Sequence, residues 1–409
     1  MMSRFIGILL IWILADLYLF QALKVIGINQ KVRKAYWLFE GSLAISAAYL
    51  IATGKLELSS PGGYVWSLVL LSLIPKLATL PLLFLEDLVR IALLVKNYFN
   101  CWFTKSPRSV QSSLISRKKF ISQVVIGFAA VPFFGLIYGM TKGKYDYRVH
   151  RVKLKFKDLP ASFDKFTITQ VSDIHAGSLD SRQAVENGVR LANAQNSDLI
   201  LFTGDLINNR AEEMDDWISV FSNLSAPYGT FSTLGNHDYG DYTTWESEQA
   251  KADNFKRLKE VHKEMGFRLL LNENVCIEKD GQHISLIGVE NWGKNAVQKP
   301  GDLTKATHGI DNADFKILMS HDPSHWDAVI LSHEKHIHLT LAGHTHGMQF
   351  GIEVPGIKWS PIKYLYQQWA GLYKKSGKYI YVNRGFGFLG FPGRLGIWPE
   401  ITVLTLESA

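Results

Sequence analysis

Five apolar or β-branched residues, Leu199 to Thr203, run into a glycine and a carboxylate in the stretch DLILFTGD at 198–205. A run that short and that apolar, bounded by Asp198 and Gly204, predicts a parallel strand covered on both faces, because a helix needs about ten residues or more. Open α/β sheets place ligands beyond the carboxyl ends of such strands, so Asp205 stands where chemistry is expected. Four further stretches repeat the arrangement: Asp173 and His175 after ITQVS, Asn236 and His237 after TFSTLG, His321 after FKILMS, and His344 and His346 after IHLTLAG. Each is a β-rich run, then a small residue or a turn, then an oxygen or imidazole donor. Any one of these histidines alone reads more readily as a satisfied core residue. Five such stretches in one chain read as a site.

Taken in order, the blocks are DIH at 173–175, GD at 204–205, GNHD at 235–238, a lone His321, and GHTH at 343–346. This set resembles the calcineurin-like metallophosphoesterase family, whose members carry DxH, GD, GNHD, a lone His and GHxH. The resemblance implies an α/β fold, a four-layer β-sandwich flanked by helices. It also implies roles: Asp173, His175 and His346 in one metal site, Asn236, His321 and His344 in the other, and Asp205 shared by both. By the same resemblance His237 faces the substrate as a general acid or phosphoryl-oxygen donor, with Asp238 orienting it. The chemistry explains such a donor set. A phosphoester is an anion that repels nucleophiles, and two divalent ions about 3.5 to 4 Å apart neutralise it and activate water. Carboxylate, amide and imidazole donors suit Mn²⁺, Fe or Zn²⁺, and the lack of Cys ligands argues against a structural zinc. His325, His333, His336 and His338 fall outside the motifs and read as structural or exposed.

The amino-terminal part is of a different kind. Residues 5 to 23, 35 to 53, 64 to 85 and 120 to 140 are apolar runs of about the twenty residues that cross a hydrocarbon core. They predict an all-α transmembrane region at 1–140, a basic linker at 141–160 and a catalytic domain at 161–409. The third run contains Pro75, Lys76 and Pro81 and stays apolar through Ile91 to Val95, which leaves open a kinked or re-entrant element. Asp16, Glu40 and Lys76 lie inside the runs, where an unpaired charge is costly. Asp16 is eleven residues past Phe5 and Lys76 twelve past Tyr64, so the two would lie at matching depth, and an Asp16–Lys76 pair is expected.

Charge divides the chain sharply. Residues 1–157 hold 21 Lys and Arg against 6 Asp and Glu, and residues 158–409 hold 23 against 31, which makes +15 and −8 and sums to the net +7. The basic character belongs to the membrane part, so nucleic-acid binding has no support in the catalytic part. Four Lys or Arg lie between Lys24 and Lys34 and six between Lys96 and Lys119, against Lys55 alone between Gly54 and Gly63. The basic loops therefore belong in the cytoplasm and the catalytic domain outside it. SRKKFIS at 116–122 resembles a twin-arginine export signal of the SRRxFLK type, with Lys118 in place of the second Arg. The seven Lys and Arg from Lys142 to Lys157 weigh the other way.

Two late stretches bear on substrate choice. PIKYLYQQWAGLYKK at 361–375 would place Ile362, Leu365, Tyr366, Trp369, Leu372 and Tyr373 on one helical face, with Trp, Tyr and Lys suited to a membrane interface. VNRGFGFLGFPGR at 382–394 is glycine-rich, and its Arg384 and Arg394 are candidate substrate-phosphate donors. Membrane-anchored relatives of the resembled family also end in an NRG loop and a PEITxLTL strand, as at 399–406 here. Cys101 and Cys276 are the only cysteines and imply no disulfide framework. The combined reading is a membrane-tethered, dinuclear-metal phosphohydrolase. Its substrate would be a phosphorylated small molecule or a lipid-linked phosphate or pyrophosphate, with no obligate protein partner. The alternatives are a catalytically silent metal-binding regulator of the same fold and a transporter with a soluble appendage.

Overall fold

The computed structural model describes residues 2–53, 61–104, 111–294 and 296–409. It divides into two compact units, Met1–Gly139 and Met140–Ala409. The first unit consists of helices α1 (Met2–Ile26), α2 (Gln30–Thr53), α3 (Pro61–Thr104) and α4 (Gln111–Thr141), the last of which runs on to the start of the second unit. Three helical segments among the described residues, Gln30–Thr53, Val65–Asn100 and Lys119–Thr141, are long and apolar enough to cross a membrane. The third apolar run is neither re-entrant nor broken: α3 continues through Pro75 and Pro81 for 44 residues, a rise of about 66 Å. That is roughly twice a hydrocarbon core. Lys55 and Ser109, in the loops whose charges set the expected orientation, lie outside the described residues.

The charges within the apolar runs find one another. Lys76 Nζ is 2.6 Å from Asp16 and 2.8 Å from Glu40, and all three are buried. The expected pair is a triad, completed by a carboxylate from α2. Ser72 donates to Glu40, Tyr36 to Asp16, and the Trp12 indole to Ser72. Satisfying every member is what makes such a cluster tolerable in an apolar setting.

Among the described residues the second unit has fourteen strands. In chain order they are β1 (Arg148–Phe156), β2 (Thr167–Val171), β3 (Leu199–Phe202), β4 (Thr230–Ser232), β5 (Arg268–Leu269), β6 (Glu273–Lys279) and β7 (Gln282–Gly288). There follow β8 (Lys316–Met319), β9 (Leu339–Ala342), β10 (Ile352–Val354), β11 (Ile357–Trp359), β12 (Gly371–Lys375), β13 (Lys378–Val382) and β14 (Glu400–Ser408). One six-stranded sheet has the order β1-β14-β2-β3-β4-β5 and the other β12-β13-β9-β8-β7-β6, while β10 and β11 form a separate ribbon. Within the first sheet β2, β3, β4 and β5 run parallel, as do β7, β8, β9 and β13 in the second.

Ile168, Leu199 and Leu201 of the first sheet meet Ile317, Met319, Leu339 and Leu341 of the second in one buried layer. The outer face of the first sheet, through Ile200 and Phe202, packs on helices α5 (Arg182–Asn193), α6 (Ile218–Phe221) and α7 (Glu248–Glu264). The second sheet buries Ile287, Leu318 and Val382 on its own far side with Trp326. Strands covered on both faces carry apolar residues at every position, and each fully buried Leu, Ile or Phe contributes about 1.5–3 kcal/mol. The four-layer sandwich is the fold expected.

Two sequence expectations change. The basic segment at 141–160 is not a linker: Arg148–Phe156 is the edge strand β1, paired in parallel with β14. Its Val152, Leu154 and Phe156 point inward between outward lysines, the charged outer row that edge strands use against aggregation. The helix expected at 361–375 is a single turn, Pro361–Tyr364, followed by β12. Gly371 at φ 75° ends that path, and the Thr345 hydroxyl on the Trp369 carbonyl holds it extended. Of its apolar residues Ile362 and Trp369 are buried with Ile397, while Leu365 is exposed.

Candidate metal centre

Each expected ligand sits past the carboxyl end of a parallel strand: Asp173 and His175 after β2, Asp205 after β3, Asn236 after β4, His321 after β8, His344 and His346 after β9. Those five strands, three from the first sheet and two from the second, thus aim at one rim of the sandwich. Backbone geometry turns the side chains inward. Asp173, His175, Asp205, His344 and His346 all have φ between +49° and +72°, a region that costs non-glycine residues roughly 1–3 kcal/mol each and is kept where function needs it. The turns press together at glycines. A Cβ on Gly204, which has φ 95°, would lie 2.5 Å from the Gly235 nitrogen, and one on Gly343 would overlap the Asp173 carboxylate.

Two groups of ligand atoms result. Asp173, His175 and His346 form one, and Asp205, His321 and His344 the other, each within 4.8 Å. His346 Nε2 is 3.3 Å from Asp173 Oδ1 and 3.0 Å from His175 Nε2. Asp205 Oδ2 is 3.1 Å from His321 Nε2 and 3.5 Å from His175 Nε2, so it reaches both groups. Asn236 Oδ1 joins the second group, 2.8 Å from His344 Nδ1.

These donors fit divalent cations by their own hydrogen bonding. His321 Nδ1 donates to the Thr203 carbonyl, which turns its Nε2 toward Asp205 Oδ2 at 3.1 Å. His175 Nδ1 is likewise held by Asn208 Oδ1 at 3.1 Å, which turns its Nε2 toward His346. Outer partners that fix the tautomer of a ring are the usual support of metal-ligating imidazoles.

Electrostatics follow from crowding buried charges. Burial pushes Asp173 up to about 6, with Asp205 adding repulsion. Burial also works against His321, but Asp205 and Asp173 outweigh it and hold its ring up at about 10. Asp205 is penalised by burial too, yet His321, His237 and His175 hold it well below the usual carboxylate range. His175 drops to about 3, and His344 and His346 also fall, chiefly through burial.

The sequence profile "Calcineurin-like phosphoesterase" matches residues 166–348, and "Probable Calcineurin-like phosphoesterase, transmembrane domain" matches residues 2–144. The chain is 30% identical over 263 residues to the "Uncharacterized metallophosphoesterase YkuE" of Bacillus subtilis, across 62% of this chain and 84% of that protein. The chain belongs to the calcineurin-like phosphoesterase family. Among other members, a Bos taurus "Transmembrane protein with metallophosphoesterase domain" is 30% identical across 67% of this chain and 60% of its own length. The Escherichia coli "Phosphodiesterase YaeI" is 27% identical across 72% of this chain and its full length. With the matching transmembrane profile and three apolar helices, this member of the family is a membrane protein.

The structure redistributes some roles. Asp238, which the family resemblance sets beside His237 as its orienter, has its oxygens on backbone N–H groups: Asp205 at 2.9 Å, Leu206 at 2.8 Å and Gly235 at 2.8 Å. It ties the GD turn to the GNHD turn, and burial followed by repulsion from Asp205 pushes it up to about 7. The His237 ring is held by the Asn208 carbonyl, 2.8 Å from Nδ1, and lies 4.4 Å from the Tyr242 ring. Arg384 is buried between Glu400 at 2.5 Å and Glu353 at 2.6 Å. Arg394 is fully buried, donates to the Arg384, Gly385 and Gly387 carbonyls and lies 3.2 Å from His346 Nδ1. Both guanidinium groups, read from sequence as phosphate donors, are engaged by the protein itself. His325 and His338 are buried on Ser320 and the Lys316 backbone, as the structural reading has them.

Sequence reasoning missed Asn208, Asp322 at 3.5 Å from His344 Nε2, and Tyr242, whose hydroxyl accepts from Asn236; it set Tyr366, whose hydroxyl is 2.8 Å from His344 Nε2, on a helical face instead. Asp322 directly follows His321 and Asn208 lies three residues past Asp205, so adjacency to a ligand was the available signal.

Metal uptake must displace the proton on His321, which the metal-free protein keeps to about pH 10. Loading at pH 7 should release about one proton, and apparent affinity should rise with pH, by roughly tenfold per unit between pH 7 and 9. Calorimetry in buffers of different ionisation enthalpy measures it; a buffer-independent heat would contradict it.

Proposed function

We propose that this chain is a membrane-tethered phosphohydrolase that uses two divalent cations, with Asp173, His175 and His346 holding one, Asn236, His321 and His344 the other, and Asp205 shared. The observation that carries the reading is the Asp205 carboxylate, buried and within 3.5 Å of a histidine from each group. Divalent cations supply neutralisation of a phosphoryl group and activation of water when bound at such sites. Manganese, iron and zinc all accept this oxygen and nitrogen set.

The chain's own residues do the rest. Asp205 is fixed by the His237 backbone N–H at 2.9 Å on Oδ1, which leaves Oδ2 to face the imidazoles. His237 is partly exposed, as is His344. With Nδ1 held by Asn208, its Nε2 is available to donate to a phosphoryl oxygen or to protonate the leaving group. The Tyr242 ring against it limits its rotation.

Two facts favour a diester or a lipid-linked phosphate or pyrophosphate as substrate. One is the name of the Escherichia coli relative, a phosphodiesterase, and the other is the transmembrane region. The lysine and arginine excess of the loops around 24–34 and 96–119 supports a catalytic part outside the cytoplasm.

Asp205→Ala should lose metal from both groups and abolish hydrolysis, whereas Cys276→Ser, at an exposed free thiol, should do neither. His237→Gln should keep its metal while kcat falls by about 10² to 10⁴. Elemental analysis and turnover on monoester, diester and lipid pyrophosphate substrates separate these outcomes. Full occupancy in Asp205→Ala would contradict the shared-ligand assignment, and loaded protein inert on every class would leave the silent metal-binding reading. A reporter active only outside the cytoplasm should work when fused after Ala409 and be silent near Ser109. The reverse pair would put the site in the cytoplasm.

A further inference from the structure

The β10–β11 ribbon is inside out. Its register sets Ile352 opposite Trp359 and Val354 opposite Ile357, so these four side chains share one face while Glu353 and Lys358 share the other. The polar face is the one turned to the protein. Glu353 is 2.6 Å from Arg384, and Lys358 donates to the Ala370 carbonyl with its Nζ 4.9 Å from the centre of the Trp369 ring. The apolar face is turned out, with Ile352, Val354 and Ile357 each at least 50% exposed. Tyr364 and Leu365 extend it at 72% and 76% exposure, and the Tyr364 hydroxyl is 3.5 Å from the Trp359 indole nitrogen. A ribbon with one face on protein and one in water ordinarily has the opposite sidedness, and a contiguous exposed apolar surface marks an interaction site.

This surface adjoins the metal centre. Tyr366, one residue past Leu365, places its hydroxyl 2.8 Å from His344 Nε2, and Glu353 grips the arginine that follows β13. Its charge also differs from its surroundings. Between Ile352 and Lys375 there are four lysines and one acid, Glu353, which is spent on Arg384; Lys358 is on the protein-facing side and Lys375 pairs with Asp327, which leaves Lys363 and Lys374 exposed. The catalytic part as a whole carries −8 from residues 158–409.

We propose that this face enters the interfacial layer of an anionic lipid bilayer and presents the metal centre to phosphoesters carried by membrane lipids. The substrate half of this statement rests on the hydrolase reading above. The occupant follows from three observations. The chain has apolar helices long enough to cross a membrane, so a bilayer is within reach. Trp359, Tyr364 and Lys363, whose Nζ lies 5.2 Å from the centre of the Tyr364 ring, are the residue types that settle at headgroup level. The lysine excess attracts anionic headgroups and repels an identical face on a second copy.

The test uses the full chain in nanodiscs of phosphatidylcholine and phosphatidylglycerol containing acyl-nitroxide lipids. In a Cys101→Ser, Cys276→Ser background, a fluorophore is attached at Ile357→Cys or at Asp280→Cys, whose native side chain is 77% exposed at the turn between β6 and β7. The probe at 357 should be quenched several-fold more than the probe at 280. Equal quenching, or disulfide-linked pairs of chains through position 357 in place of quenching, would overturn the proposal. A second arm uses Ile357→Glu with Leu365→Glu. Turnover of a phospholipid diester in the nanodisc should fall at least about tenfold while soluble bis(p-nitrophenyl) phosphate is hydrolysed as before. Equal losses on both substrates would also overturn it. If no form hydrolyses either substrate, the hydrolase reading fails, and the quenching result still decides the membrane contact.

Discussion

The centre depends on a carboxylate whose oxygens face backbone N–H groups. Asp238 accepts backbone N–H groups from Asp205, Leu206 and Gly235 and so clamps two strand-end turns that meet through glycines. Those turns, and the ones after β2 and β9, hold five non-glycine residues in the left-handed region. At roughly 1–3 kcal/mol each the strain is comparable to the net stability of a domain, and it persists only where surrounding bonds over-determine the backbone. Asp173 does for the GHTH turn what Asp238 does for GNHD, accepting the His344 N–H at 2.9 Å. Without these clamps the ligands would relax outward, and no packing elsewhere in the sandwich would bring Asp205 between two histidines.

Buried ion pairs recur at the edges of this arrangement. Arg384 between Glu353 and Glu400 locks the loop after β13 to the ribbon on one side and to β14 on the other. Burial alone would raise Glu400, but the Arg384 guanidinium holds it down at about 2. Arg394 threads the glycine-rich loop through three backbone carbonyls and ends beside His346. Such pairs contribute little net stability against an apolar replacement. Their effect is geometric: they fix where a flexible, glycine-rich segment lies against a ligand. The Lys76 triad of the membrane unit follows the same rule, with each charge given a partner and each carboxylate a hydroxyl donor.

Much of this was legible in the sequence because the strands that position the ligands are short, apolar and buried on both faces. Residues 199–205 announced both the strand and the turn, and the same pattern at four other places named the ligand set. The Asp16–Lys76 pair was legible from depth alone, since rise per residue is fixed in a helix. What failed has physical reasons. Residues 148–156 alternate charge with apolar character, and charge density masked an edge strand. Residues 361–375 have helical periodicity, but Gly371 and the contacts of Tyr366 and Trp369 draw the segment across the site. Arg384 looked free because its partners, Glu353 and Glu400, are 31 and 16 residues away in sequence. The role of Asp238 was hidden because its partners are backbone N–H groups, which every residue but proline has.

The central claim is that Asp205 lies between two cations. The most direct measurement is metal content combined with electron paramagnetic resonance of the manganese-loaded protein. A carboxylate shared by neighbouring ions predicts two ions per chain and an exchange-coupled spectrum. One ion per chain, or two with the independent signals of isolated manganese, would contradict the account.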